Sequence, residues 1–237
     1  MQIIDSHIHT SETSRCGKIP ARETVNNYKR LGYDAIIITD HMSSTTIKVA
    51  GLTESSPKED IAEVFLRGYR EAVDEGNKIG MKVFLGMEVR VNDHSNDYLL
   101  YGFNEEFVYK NEFVTKTIPE ISKLAKENDL LFIQAHPYRS VITRDYLDFV
   151  DGIEVFNGHS GQNSRNNKAY ELGLKIASER KDFVFTSGSD CHKYEDNGKN
   201  CVATSGMVFM NPVNNIRDFV NEVRAKNYRL MFDPNIV

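Results

Sequence analysis

The chain has no run of about 18 apolar residues, so no transmembrane helix is expected. Its N-terminus lacks the basic stretch, apolar core and cleavage site of a secretory signal, which argues against export. Cysteine is scarce. Cys16, Cys191 and Cys201 are odd in number and without CxxC spacing, which argues against a disulfide framework and fits free thiols in a reducing compartment. Linkers rich in proline, glycine or serine, low-complexity tracts and internal repeats are absent. The 237 residues are therefore expected to form one domain, 1–237, large enough to bury a sizeable core. Nor is there an excess of positive charge. The formal net charge is −5 and the pI near 5.8, which argues against a bulk electrostatic grip on nucleic acid, although bound cations would reverse the sign locally. The expectation is a cytoplasmic globular protein.

What is present is an alternation of short apolar runs with helical patterns. Runs at 3–9, 35–40, 83–91, 98–103, 131–136, 152–156 and 183–186 read as strands, with 208–210 a candidate eighth. Helical spacing predicts a first helix beginning near Pro20, with Val25, Tyr28 and Leu31 on its apolar face and Gly32 as its stop. Further helices are expected at 58–79, with Gly80 as C-cap, at 118–128, with Pro119 in the first turn, at 163–180 and at 213–226. This order is that of an α/β barrel or a doubly wound sheet. Long polar stretches, 42–57 and 191–205, follow strands directly. In α/β barrels the loops after the strands form the active-site face.

The chemistry-bearing residues fall at those strand ends. In Asp5-Ser6-His7-Ile8-His9-Thr10 the two histidines are two apart, and alternate residues of a strand share a face, so both can grip one cation. Imidazole alone does not distinguish zinc, iron, nickel and copper. His41 ends Ile38-Thr39-Asp40-His41, Glu88 lies in Gly86-Met87-Glu88, and His136 ends Gln134-Ala135-His136-Pro137. Asp190 and His192 lie in Gly188-Ser189-Asp190-Cys191-His192. Any one of these alone reads as a capped or hydrogen-bonded side chain. If the strands are parallel, together they converge on one face, as a polynuclear metal site and hydrolytic chemistry require.

The ordered set HxH, TDH, GxE, AHP and GSDxH, spanning Asp5 to His192, resembles the polymerase-and-histidinol-phosphatase (PHP) superfamily of metal-dependent phosphoesterases. The amidohydrolase superfamily also opens with HxH on a first barrel strand, but its bridging lysine has no obvious counterpart here. The resemblance implies a distorted, seven-stranded (β/α) TIM-like barrel holding two or three divalent ions, zinc, manganese or iron. It implies that His7, His9, Glu88 and Asp190 hold the first ion, that Glu88 bridges to a second held by His136, and that His41 and His192 hold a third. Relatives carry a further histidine in a segment like HILGYGF. Aligned on Tyr101-Gly102-Phe103, this chain has Asp97 there, with His94 as the competing candidate. Relatives also place Asp or His shortly after HxH and just before a glycine. Here the segment Ser11-Glu12-Thr13-Ser14-Arg15-Cys16-Gly17 is two residues longer and puts Cys16 there. A thiolate ligand at Cys16, an ordinary thiol, and ligation by Glu12 instead all stay open, as does the third ion itself.

The expected activity is hydrolysis of a small phosphate monoester, histidinol phosphate- or nucleotide-like, by a hydroxide bridging two ions. Metal binding lowers the pKa of water from ~16 to ~7, and the cations offset charge on the phosphoryl oxygens. Glu88 and Asp190 are the expected catalytic carboxylates, and Asp40 is expected to orient a ligating histidine. Arg139 resembles a phosphate-gripping arginine that follows AHP in relatives, its alternative being a surface arginine. Asn157 and His159 follow the sixth strand, Asn157 as a candidate substrate contact and His159 as leaving-group acid or plain loop residue. Arg165 and Lys168 extend a positive rim or are simply solvated. The expected partner is a small phosphorylated substrate, with no membrane and no strong nucleic-acid binding. An exonuclease-like phosphodiesterase, a non-catalytic metal-binding regulatory domain and a C–N hydrolase are the alternatives.

Overall fold

A computed structural model describes residues 1–92, 94–159, 163–193 and 205–232. In chain order the elements are β1 (Gln2–Ile8), α1 (Ala21–Arg30), β2 (Ala35–Ile38), β3 (His41–Met42), α2 (Ser44–Val49) and α3 (Lys58–Ile79). There follow β4 (Lys82–Arg90), β5 (Asp97–Tyr101), α4 (Glu105–Lys110), α5 (Ile118–Glu127), β6 (Leu131–Gln134) and β7 (Gly152–Asn157). The last are α6 (Asn166–Glu179), β8 (Val184–Gly188), β9 (Ser205–Phe209), α7 (Ile216–Arg224) and β10 (Tyr228–Phe232). Nine strands run β10-β9-β1-β2-β4-β5-β6-β7-β8 around a nearly closed, TIM-like α/β barrel, and β3 pairs with β4 beside this path. Closure comes where the segment after β8 meets the end of β1. Asp190 N–H donates to the His7 carbonyl at 2.8 Å, and Ile8 bridges Cys191 in parallel.

The strand sequences explain the layering. β2 is Ala-Ile-Ile-Ile, buried throughout, as a parallel strand covered on both faces should be. Ile37 joins Ile4, Leu99 and Ile133 in the barrel interior, together with Phe219, Val220 and Val223 of α7. Ile36 and Ile38 pack outward with Val25 and Tyr28 of α1. In β1 the register shifts between Asp5 and Ile8. Ile4 therefore faces the interior cluster, while Ile8 packs with α1. Such an irregularity re-aims side chains, and here it turns His7 and His9 inward. The helix ends also follow local rules. Gly80 closes α3 at φ +68°, a left-handed conformation that glycine adopts without strain. Thr117 and Glu120 form a capping box at the start of α5.

Several expectations are corrected. The strands are not uniformly parallel: β5 runs antiparallel to both β4 and β6, and β9 antiparallel to β1 and β10. Only residues 91–96 join β4 to β5, too short for a parallel crossover, so a hairpin is enforced. The polar stretch 42–57 begins at the end of β3 and contains α2, and α4 and β10 appear where no element was expected. α2 and α4 are too short to show a helical period, and β10 is only partly buried, so its alternation is weak. Leu31 is 41% exposed because the helix ends at Arg30 and Leu31 is its C-cap. α6 begins at Asn166 rather than 163, since Arg165 lies at φ +48°. Among the described residues no helix is long and apolar enough to cross a membrane.

One glycine fixes how α3 sits on the barrel. A Cβ on Gly68 would stand 1.9 Å from Thr10 Oγ1 and 2.5 Å from Asp40 Oδ2, so the helix approaches these buried groups only because no side chain intervenes. Gly68→Ala is expected to cost about 1–3 kcal/mol through overpacking. Urea unfolding should show a lower midpoint at unchanged slope, and an unshifted midpoint would mean that α3 moves without penalty.

Candidate metal centre

The end of the barrel where β1, β2, β4 and β6–β8 finish gathers the histidines and carboxylates into one buried cluster. His7 and His9 come from β1 and the residue after it, His41 from β3 and Glu88 from β4. His136 follows β6 closely, and Asp190 and His192 follow β8. Asp97 is the first residue of β5 and pairs with Arg90. Because β5 runs backwards, its beginning arrives at the face where its neighbours end, which brings Asp97 into the cluster. His136 at φ +29° and Asp190 at φ +51° lie in the left-handed region, sparsely occupied by such residues and typical of over-determined functional sites.

The donor atoms converge closely. His7 Nε2 lies 3.1 Å from His9 Nε2 and 3.4 Å from Glu88 Oε1. His9 Nε2 is 3.1 Å from both Glu88 Oε2 and Asp190 Oδ1. On the other side of Glu88, His41 Nδ1 lies 3.0 Å from Oε2 and His136 Nε2 lies 3.2 Å from Oε1. Asp97 Oδ2 is 3.7 Å from His136 Nε2, and its carboxylate also accepts a pair of hydrogen bonds from Arg90, one at 2.6 Å.

A second ring of contacts fixes the imidazoles. His7 Nδ1–H donates to Glu154 Oε1 at 2.9 Å, which leaves the Nε2 lone pair facing the cluster. Glu154 Oε2 also accepts from the His136 backbone N–H and from Asn157 Nδ2. Ser14 Oγ–H donates to Asp40 at 2.6 Å and stands 3.3 Å from His9 Nδ1, so Asp40 reaches His9 chiefly through Ser14. His192 Nδ1 bonds the Asp190 carbonyl at 2.7 Å, leaving its Nε2 available. Glu154, Ser14 and Asp5 were not singled out in the sequence. The signal for Glu154 was a lone charge in the apolar run Gly152-Ile153-Glu154-Val155-Phe156. Asp5 accepts from Tyr28 Oη, His7 N–H and Ser189 N–H and so staples β1 to the segment after β8, while burial pushes its carboxyl up to about 6.

Electrostatics mark the cluster as a cation site. Burial would push His7 and His9 down, but nearby carboxylates outweigh it. Glu154, Asp190 and Glu88 hold His7 well above its ordinary value, and Asp190 and Glu88 raise His9 to about 9. Burial pulls His41 well below its ordinary value and His192 to about 3, leaving both neutral. Burial and the Glu88 charge raise Asp97, against the pull of Arg90. Asp190 Oδ1 and His136 Nδ1 are buried without a hydrogen-bond partner. Converging imidazole lone pairs, carboxylates and an orphaned carboxylate oxygen are the donor set of a zinc, iron or manganese site, and the residues fit such ions.

The PHP domain model matches residues 5–199, a span that contains every one of these residues. The chain belongs to the PHP family. No curated protein sequence matches it. Among solved structures it is similar to a two-domain Bacteroides vulgatus protein containing a predicted PHP-like metal-dependent phosphoesterase (15% identity, TM-score 0.67, covering 98% of this chain and 64% of that one). It is also similar to a Bifidobacterium adolescentis protein assigned as a metal-dependent phosphoesterase (16% identity, TM-score 0.56, covering 99% and 94%). A third similar structure is endonuclease Q in complex with duplex DNA carrying an abasic lesion (13% identity, TM-score 0.57, covering 94% and 56%). This chain thus spans less than two thirds of the first and third. At such identities the likeness shows the fold alone, and since the endonuclease Q structure holds duplex DNA, the fold lends no support to the charge-based expectation of no strong nucleic-acid binding.

Other sequence candidates of this PHP chain divide clearly. Both Glu12 carboxylate oxygens accept from the Ala21 backbone N–H at 3.0 Å, so Glu12 caps α1. Cys16 instead reaches the cluster, where His9, Cys16, His41 and His192 each offer a donor atom within 4.8 Å of the others. Cys16 is exposed at the mouth of the cluster, yet the desolvation of its thiol there, with Glu88, Asp190 and Asp40 nearby, pushes it up to about 12 in the absence of a cation. His94 packs its ring against Tyr98 and Tyr146 and accepts from Asn96 N–H. Arg139 is no surface residue: its Nη2 donates to Asp190 Oδ2 at 2.6 Å and Asn157 Oδ1 at 2.8 Å. Asn157 is buried and gives its amide hydrogens to Glu154 and Asp190, so it supports Arg139 and Asp190 from beneath. The His159 ring lies tilted against His192 at 4.7 Å between centroids, and burial lowers its pKa. Arg165 and Lys168 are exposed and stand outside the cleft, and Cys201 lies outside the described residues.

A cleft of about 660 Å³ opens over the cluster. Glu88, Asp97 and Asp190 lie at its floor, while Arg15, Lys18, Arg90, Arg139 and Lys193 surround them. A pH dependence follows from His7 and His9. Their raised folded-state pKa values stabilise the metal-free protein fully below 6.5, and the contribution of His9 is lost as pH rises through about 9 while that of His7 is lost at its own raised value. His41 and His192, being lowered, act only below that window. Thermal unfolding in chelator should therefore weaken from about pH 7 to about pH 9. The metal-loaded protein should hold or gain stability there, because ligation requires deprotonated imidazoles. Parallel pH profiles with and without metal would count against a cation site.

Proposed function

We propose that this chain is a divalent-metal-dependent phosphoesterase acting on a small phosphate monoester. The observation that carries the reading is a cluster of imidazoles and carboxylates at a cleft whose lining includes five cationic side chains. His7, His9, Glu88 and Asp190 would hold one ion, and Glu88 with His136 and Asp97 a second. His41 and His192 adjoin them. Bound divalent cations supply a water acidic enough to attack phosphorus at neutral pH and offset charge on the phosphoryl oxygens.

The chain's own groups do the rest. Glu88 and Asp190 would be shared donors to the cations, Glu154 and Ser14 would keep the lone pairs of His7 and His9 turned towards them, and Asn157 holds Arg139. Arg139 lines the cleft with its Nε buried and without a partner, a donor that a phosphoryl oxygen would fill. His159 borders the same cleft and is neutral at pH 7. We assign it to contact with the substrate rather than to leaving-group protonation.

The test uses protein loaded with Mn²⁺ or Zn²⁺ and measures phosphate release from monoesters and nucleotides beside strand scission of an abasic-site duplex. Monoester turnover should depend on metal and fall at least about 100-fold in Asp190→Asn, the upper range for disturbing a ligand's surroundings alone. Arg139→Ala should lower kcat/KM about 10- to 100-fold, the worth of a charge-assisted hydrogen bond. His159→Ala should change KM more than kcat, whereas loss of a general acid would take kcat down at least about 100-fold. Cleavage of the duplex in preference to monoesters would transfer the reading to a nuclease. No metal-dependent release from any ester would overturn it.

A further inference from the structure

A second set of donors adjoins the carboxylate-rich pair of sites, and its composition differs. His9, Cys16, His41 and His192 offer three imidazoles and one sulfur, with no carboxylate among them. The imidazole rings crowd together: His9 lies 4.5 Å from His41 and 4.4 Å from His192 between centroids. Their donor atoms and Cys16 Sγ fall within 4.8 Å of one another, close enough for small side-chain adjustments to bring them to the ~3.5 Å edges of a tetrahedron around a zinc-sized ion. The longer loop after the HxH strand is pinned at both ends of the cysteine. Ser14 N–H donates to the Thr10 carbonyl at 3.0 Å, and Ser14 Oγ bonds Asp40 and receives the His41 backbone N–H. On the far side, Gly17 N–H returns to Ser14, and Lys18 N–H donates to the His192 carbonyl at 2.6 Å. The loop thus ties the cysteine to the strand ends that carry the histidines.

We propose that Cys16, His41 and His192 form a nitrogen–sulfur site for a thiophilic divalent ion, zinc, cobalt(II) or iron(II), beside the site to which His9 gives its one free lone pair. On binding, the Cys16 S–H bond breaks, its proton passes to solvent, and the sulfur lone pair forms the bond to the cation. Soft sulfur and imidazole donors discriminate against manganese and magnesium, whereas the carboxylates of Glu88, Asp97 and Asp190 accept those harder ions. The centre is therefore of mixed selectivity: one position chosen by sulfur, two by oxygen. This inference deepens the phosphoesterase reading and rests on the cluster being a metal centre, but not on turnover.

The experiment uses the full chain, stripped of metal and titrated with Co²⁺. A sulfur-to-cobalt charge-transfer band in the near ultraviolet should appear, and it should vanish in Cys16→Ser while surviving the paired Cys191→Ser and Cys201→Ser change. Zn²⁺ affinity at one position should fall at least about 100-fold in Cys16→Ser, beyond what a supporting contact costs. A second readout needs no variant. Zn²⁺ should slow alkylation of Cys16 at least about tenfold, followed by peptide mass spectrometry, and Mn²⁺ should not. A band that persists in Cys16→Ser, no band in the native chain with cobalt bound, or equal protection by both ions would overturn the proposal. Absence of phosphate release with the band intact would instead count against the phosphoesterase alone.

Discussion

Glu88 is the group around which the rest of the structure is arranged. It is 1% exposed, and a carboxylate taken out of water costs several kcal/mol unless partners replace the lost hydration. Burial would raise its pKa, but His41 and His7, with a hydrogen bond from His136, hold it well below the ordinary carboxylate range. Those imidazoles are held in turn by contacts around them, His7 by Glu154 and His9 by Ser14. Charge at the centre is thus distributed over a shell of oriented dipoles and ions, as a pre-organised site for a cation requires.

That arrangement sets demands on the barrel that an ideal one would not meet. Two neighbouring histidines of one strand face inward only because β1 breaks register between Asp5 and Ile8. Gly188, beside His7, has no room for a side chain: a Cβ there would lie 2.5 Å from His7 Cβ and 2.9 Å from its backbone nitrogen. The reversal of β5 likewise serves the centre, since a parallel strand would carry Asp97 to the opposite end. Departures from regularity concentrate where the chemistry is, while the interior around Ile4, Ile37, Leu99 and Ile133 stays apolar.

How much of this was legible depended on whether the signal was local. The ordered HxH, TDH, GxE, AHP and GSDxH segments carried the gathering of His7, His9, His41, Glu88, His136, Asp190 and His192, because strand ends of a barrel share a face. The 22-residue helix α3 was legible from its period and its terminal Gly80. Strand direction was not, although the short link 91–96 contained the reason. The fates of Glu12 and Cys16 could not be separated in sequence, since both sit in one polar loop. The difference is that Glu12 finds the N-terminus of α1 while Cys16 finds the histidines. Glu154 escaped because it belongs to no motif. Its role exists only through a partner on a distant strand.

The barrel seam has a consequence for how the molecule comes into being. His7 and His9 leave the ribosome about 180 residues before Asp190 and His192, yet the backbone of His7 bonds that of Asp190 where β1 meets the segment after β8. Contacts of such sequence separation form late and slowly. A nascent chain shorter than residue 192 has the opening histidines but lacks the groups that complete the centre. A cation that needs Asp190 and His192 as ligands would be held only after the sheet has curled shut, as a clasp on a finished fold rather than a nucleus for it.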